Sequence, residues 1–104
     1  MSTKNLHPAR LLLVDDDRNL LESMGDWLRS KGFLVDESAT VAAARQLLAK
    51  ERYALALIDL RLTDGDGFDV LATCKQLQPE CTVLLMTGYG TVETGIEALR
   101  AGAF

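Results

Sequence analysis

Leu11-Leu12-Leu13-Val14-Asp15-Asp16-Asp17 places four aliphatic residues directly before three carboxylates. A short continuous apolar run is what a strand buried on both faces of a parallel sheet requires. Two further runs have the same form: Leu55-Ala56-Leu57-Ile58 before Asp59, and Val83-Leu84-Leu85-Met86 before Thr87-Gly88. In an open parallel α/β sheet, ligands bind outside the carboxyl ends of the strands, where strand order reverses. The three run-ends are therefore expected to converge on one site that holds several carboxylates and a hydroxyl.

Outward from these runs the chain alternates between strand and helix signals. Arg10–Val14 predicts the first strand. Asp17 is placed as the N-cap of a helix whose Leu20, Leu21, Met24 and Leu28 recur at helical spacing, with Trp27 at the border of that face. Gly25 inside this helix costs about 1 kcal/mol against Ala, and Gly32 stands where a left-handed residue would end it. Phe33–Glu37 predicts a weaker edge strand, after which Ser38 or Thr40 can cap a helix with Val41, Ala44, Leu47 and Leu48 as its buried stripe. Tyr53–Asp59 predicts the third strand and Leu60–Gly67 a loop. Phe68, Leu71, Ala72 and Cys74 form the inner face of a third helix that ends before Pro79. Glu80–Met86 predicts the fourth strand, Gly88-Tyr89-Gly90 a turn, and Thr91 the cap of a helix running to about Ala101. The order βαβαβαβα implies parallel strands with right-handed crossovers.

A length of 104 residues suits one domain, and 48% hydrophobic with 25% charged residues is an ordinary globular composition. The net charge of −4 makes the chain a poor binder of nucleic acid or of an anionic membrane. No apolar stretch approaches the roughly 20 residues of a membrane span. Cys74 and Cys81 match no metal or redox spacing and follow no secretory signal, so they are expected to be reduced in a cytoplasmic protein. Residues 1–9 read as a disordered N-terminal tail in which His7 is incidental.

Asp15, Asp16 and Asp59 are expected to face one another across adjacent strand tips. Two like charges about 4 Å apart repel by roughly 4 kcal/mol at an effective dielectric of about 20. That is large beside a total stability of about 5–15 kcal/mol. A cation in the cluster offsets the repulsion, and carboxylate and carbonyl oxygens suit Mg²⁺. The plain alternative, acids that cap a helix and face solvent, suits Asp17 but not Asp16 or Asp59, each of which ends an apolar strand. Thr87 alone would be an ordinary strand-end hydroxyl. Beside Gly88 and the acids it becomes a candidate donor to a phosphoryl oxygen.

Asp64-Gly65-Asp66-Gly67 invites two other readings. As a calcium loop it fails, because Asp69 occupies the required glycine position and Lys75 the final carboxylate position. It also mimics the Asp-x-Asp-Gly of aspartate-nucleophile phosphatases, but those carry the motif on the strand end itself, whereas Leu60-Arg61-Leu62-Thr63 intervenes here. The chain carries no Gly-rich P-loop, Ser-His-Asp set or His/Cys cluster.

Val14-Asp15-Asp16-Asp17, Ile58-Asp59-Leu60-Arg61-Leu62 with Asp66-Gly67, and Met86-Thr87-Gly88 together resemble the receiver domain of two-component response regulators. The resemblance covers residues 10–104 and implies a flavodoxin-like, doubly wound parallel sheet, with family order 2-1-3-4-5. It implies that Asp59 accepts a phosphoryl group from a phosphohistidine of a sensor kinase or phosphotransfer protein. It further implies that Asp16 holds Mg²⁺ directly and Asp15 through water, joined by Asp59 and the backbone carbonyl of Arg61. Thr87 is then the switch hydroxyl that moves toward the phosphoryl group and repacks helix four. Such a domain signals to an output domain or partner and is not an enzyme, although self-phosphorylation and self-dephosphorylation are within its chemistry. The stretch from Gly88 to Phe104 also resembles receivers of transcriptional activators acting with sigma factor 54.

Two departures stand out. Thr63 replaces the proline usual in the loop after the acceptor. The chain also ends where the family's fifth strand would begin, so the expected sheet is 2-1-3-4, C-terminally truncated, with the fifth βα unit missing. None of Lys4, Lys31, Lys50 or Lys75 matches the family lysine that this strand delivers. Two expectations follow from the truncation: self-association through an uncovered sheet edge, and the alternative of a phosphorylation-independent interaction module.

Overall fold

The structure is a computed structural model that describes residues 8–86. Thr87, the turn at 88–90 and the helix expected from Thr91 lie outside the described residues, as do residues 1–7 of the expected tail.

Strand β1 (Arg10–Val14) lies between β2 (Leu34–Ser38) and β3 (Leu55–Asp59). The aliphatic run before the three acids is thus a central strand, and Leu11, Leu12, Leu13 and Val14 are essentially fully buried. Its two-residue alternation divides the core. Leu12 and Val14 pack with α2 (Val41–Lys50) and α3 (Gly67–Leu77), through Val41, Ala44, Leu48, Val70, Leu71 and Cys74. Leu11 and Leu13 pack on the other face against Leu21 and Leu28 of α1 (Arg18–Ser30). Two short antiparallel strands, β4 (Arg61–Leu62) and β5 (Gly65–Asp66), follow β3, and β6 (Thr82–Met86) pairs parallel with β3. The sheet order among the described residues is β2-β1-β3-β6, all parallel. This is the expected flavodoxin-like order 2-1-3-4 when the small hairpin is left out of the count.

The expected boundaries shift where a backbone group finds a different partner. The second strand starts at Leu34 rather than Phe33, because the Phe33 N–H donates back to Leu28 O and closes α1. Gly32, at φ 98°, supplies the left-handed residue that this closure needs. Ser38 ends β2 and is buried, so Thr40 is the cap of α2, its hydroxyl accepting the Ala43 N–H. The third strand begins at Leu55 rather than Tyr53, because the Tyr53 N–H donates to the Gln78 side chain. Likewise Cys81 N–H donates to Gln78 O, and the last described strand begins at Thr82 rather than Glu80. The expected loop 60–67 contains the β4–β5 hairpin.

Two residues expected inside lie outside. Leu20 is 40% exposed, because the buried stripe of α1 runs through Leu21, Gly25 and Leu28 and Leu20 lies roughly 100° away from it around the helix. Ala72 is exposed, and Val70 takes the inward place on α3. Trp27 is 60% exposed, with the Lys31 ammonium 5.5 Å from its ring centroid. Gly25 is explained by crowding: a Cβ there would run into the Glu37 carboxylate, which pairs with Arg29 at 3.0 Å.

One buried polar side chain ties three segments together. Gln78 accepts the Tyr53 N–H at 2.8 Å and donates to Leu48 O at 2.9 Å and Glu51 O at 2.5 Å. Stripping it to Ala leaves these groups without that partner in a site where Gln78 is 4% exposed. Gln78→Ala is therefore expected to lower the unfolding free energy by about 2–3 kcal/mol, read from a urea transition with unchanged slope.

Candidate metal and phosphoryl site

The parallel register sets Val14 beside Ile58 and Asp59 beside Met86, so the chain leaves β1 and β3 at neighbouring tips. One carboxylate oxygen from each of Asp15, Asp16 and Asp59 lies within 4.8 Å of the other two. Asp15 is buried, Asp16 exposed and Asp59 intermediate. Three consecutive acids thus take different tasks. Asp15 donates its N–H to Ser38 O and accepts the Asp17 N–H on Oδ1, at 2.9 Å. Asp17 instead turns its side chain to Asn19 and Leu20, capping α1 as expected.

Burial pushes the Asp15 carboxyl above the usual carboxylate range. The Asp17 N–H opposes that shift, and the charges of Asp59, Asp16 and Asp17 add to it. A carboxylate with a raised pKa in the folded state opposes folding in full above that pKa; the penalty shrinks as the pH falls below it and is gone only below the ordinary pKa of the unfolded chain. A cation among these oxygens would remove the same penalty at neutral pH. The donor set is made of hard oxygens, two of them held on rigid strand ends, and this is the chemistry that suits Mg²⁺.

Asp59 is oriented from two sides. Its Oδ1 accepts the Arg61 N–H at 3.4 Å, and its backbone carbonyl lies against Gly67. Leu60 N–H donates to Met86 O, and Leu60 O accepts the Gly67 N–H at 2.8 Å. A Cβ on Gly67 would meet Asp59 O at 2.5 Å and Leu60 Cα at 3.0 Å. Only glycine allows α3 to start this close to the acceptor strand. Asp66 caps α3 by accepting the Phe68 and Asp69 N–H groups, and Asp69 accepts the Asp66 N–H in return.

Four of the five expected site residues, Asp15, Asp16, Asp59 and Arg61, lie in or beside this cluster; Thr87 lies outside the described residues. The close approach at Gly67 was not anticipated. The reciprocal cap is written in the Asp66-Gly67-Phe68-Asp69 spacing, where a short acceptor precedes a second acid by three positions. A cleft of about 770 Å³ opens elsewhere, beside Arg10, Tyr53 and Gln78. Two of its lining residues, Tyr53 and Arg10, both donate to Asp36, and none of the three clustered acids lines the cleft.

A family model for the response regulator receiver domain matches residues 11–104. The chain belongs to that family. This receiver domain is 36% identical over 93 residues to the photosynthetic apparatus regulatory protein RegA of Cereibacter sphaeroides, covering 89% of this chain and 50% of the relative. It is 38% identical over 95 residues to the response regulator protein PilR of Pseudomonas aeruginosa, covering 91% of this chain and 21% of the relative. The receiver domain therefore spans half or less of the length of these two curated relatives. Among solved structures it is similar to a response regulator receiver domain protein (CheY-like) from Methanospirillum hungatei JF-1. That match has a TM-score of 0.88 and 33% identity over 93% of this chain and 78% of the other. A response regulator from Burkholderia pseudomallei, solved with a phosphorylated aspartic acid, a calcium ion and citrate, gives a TM-score of 0.87 and 26% identity over 91% of this chain and 56% of the other. No helix among the described residues is long and apolar enough to cross a membrane.

Proposed function

We propose that this receiver domain accepts a phosphoryl group on Asp59 from a phosphohistidine of a sensor kinase or phosphotransfer protein. The observation that carries the reading is the meeting of Asp15, Asp16 and Asp59 oxygens within 4.8 Å at two adjacent strand tips. The phosphorylated aspartic acid and the cation in the Burkholderia pseudomallei relative support it. An Asp59 carboxylate oxygen attacks phosphorus and forms the new P–O bond. The P–N bond of the donor breaks, and its electron pair returns to the imidazole nitrogen, which takes up a proton.

A carboxylate is a weak nucleophile, so this step depends on alignment and on neutralising charge at the phosphoryl oxygens. Asp15, Asp16, Asp59 and the Arg61 carbonyl would hold Mg²⁺, which supplies that neutralisation when bound. The Arg61 N–H reaches the Asp59 carboxylate, and the close approach of Gly67 packs against the Asp59 backbone. Thr87, which follows Met86 in the chain, is the hydroxyl we assign to the phosphoryl oxygen in the acyl phosphate, its movement biasing an order-and-repack switch. The output we assign is control of transcription, supported by relatives such as the transcriptional regulatory protein GlrR of Escherichia coli, 35% identical over 97 residues.

Two measurements test the reading. Mg²⁺ that binds only the folded form is expected to stabilise it by about 1.4 kcal/mol at ten times its dissociation constant, seen as a raised melting temperature that EDTA reverses. Incubation with a phosphohistidine donor and Mg²⁺ is expected to add one phosphoryl group. A folded protein that shows neither response would contradict the proposal.

A further inference from the structure

Asp64 belongs to neither the acidic cluster nor the cap of α3, yet both of its carboxylate oxygens are engaged. Oδ1 accepts the Val41 N–H at 2.8 Å and Oδ2 the Ala42 N–H at 3.1 Å, across 23 and 22 residues of chain. These are the first two N–H groups of α2, which have no partner inside the helix. The local cap of that helix, Thr40, serves Ala43 instead. Asp64 sits at the tip of the β4–β5 hairpin, where Leu62 pairs with Gly65. That hairpin begins with Arg61 and ends with the cap of α3.

Two further contacts seat the same hairpin on α2. Leu62 is buried in the core cluster that contains Val41. Gly65 runs so close to the helix that a Cβ would lie 3.1 Å from Val41 Cγ2. The stretch between Asp59 and α3 is therefore held at its base by the sheet and at its tip by α2. It is also the stretch in which Thr63 takes the place of a stiffening proline.

We propose that Asp64 is a positioning residue for the acidic site: by anchoring the hairpin tip to α2 it fixes the path of Arg61, and with it the backbone carbonyl offered to the cation. This rests on the reading of Asp15, Asp16, Asp59 and Arg61 as the metal-binding set. Partners that orient a ligand without touching the metal typically change metal affinity by about 10–100-fold when removed. A residue that only caps α2 would change stability and leave that affinity alone.

Thr40→Ala provides the contrast, because it removes a cap from the same helix end without touching the hairpin. Mg²⁺ dissociation constants are measured by calorimetry, well below both melting transitions, for the parent protein, Asp64→Ala, Asp64→Asn and Thr40→Ala. The expected result is about tenfold weaker binding for Asp64→Ala, a smaller loss for Asp64→Asn (which keeps one acceptor oxygen), and parental affinity for Thr40→Ala. In metal-free buffer, amide exchange at Arg61 and Leu62 should quicken in Asp64→Ala and not in Thr40→Ala. Parental affinity in both folded Asp64 variants would overturn the positioning role while leaving the acidic site standing. Equal weakening in Thr40→Ala would also overturn it, since helix capping alone would then account for the effect. A parent protein that binds no Mg²⁺ would overturn the metal-site reading and this inference together.

Discussion

Asp59→Asn is expected to abolish phosphoryl uptake and, in metal-free buffer, to raise the melting temperature. The two effects share one cause. Asp59 contributes the nucleophile and also a third negative charge to a cluster in which one oxygen from each acid lies within 4.8 Å of the other two. Amides are not nucleophiles at phosphorus, so the loss of uptake should be complete rather than partial. For stability, a like-charge pair at about 4 Å repels by roughly 1 kcal/mol in water and roughly 4 kcal/mol at an effective dielectric of about 20. Asp16 is exposed and screened, whereas Asp15 is buried, so a gain of about 1–2 kcal/mol is expected, or roughly 4–8 °C in melting temperature per kcal/mol for a domain of this size. The gain should shrink when Mg²⁺ is added, because the cation relieves the same repulsion in the parent. A lower melting temperature for the variant in EDTA would contradict a shared acidic site.

Gly67→Ala is expected to be the most disruptive single-methyl change near the site. The added Cβ meets backbone, Asp59 O at 2.5 Å and Leu60 Cα at 3.0 Å, so no flexible side chain can yield. Either α3 moves away, straining the Asp66–Asp69 cap, or the end of β3 moves and takes Asp59 with it. Overpacking of this kind costs about 1–3 kcal/mol, which corresponds to a melting temperature lower by roughly 4–8 °C per kcal/mol. Because the displaced atoms belong to the acceptor, phosphoryl uptake should fall more than the loss of folded protein explains. A variant that melts with the parent and is phosphorylated at the parental rate would show that α3 does not constrain Asp59.

The sheet was legible because its signal is local. Leu11–Val14 has no polar position to offer either face, which marks a central strand, and the acids that follow mark its carboxyl end. Adjacency of β1 and β3 then brings Asp15, Asp16 and Asp59 together without any further information. What the sequence hid are contacts between segments distant in the chain. Nothing in the spacing of Asp64 and Val41 announces that one caps the other across 23 residues. Strand starts slipped for the same reason: the Tyr53 N–H is claimed by Gln78, 25 residues away, and so leaves the ladder. Leu20 lies outside because Leu20 and Leu21 are both apolar and spacing alone does not say which of the two the sheet covers; the buried stripe runs through Leu21, Gly25 and Leu28.

The central claim, that Asp59 is the residue that takes the phosphoryl group, is tested most directly by locating the modification. The protein is incubated with acetyl phosphate and Mg²⁺, the acyl phosphate is trapped by borohydride, and the digested peptides are read by mass spectrometry. The account predicts conversion of Asp59 alone to homoserine, dependent on Mg²⁺ and absent from Asp59→Asn. Reduction at another aspartate, or a folded protein that carries no trapped acyl phosphate, would contradict it.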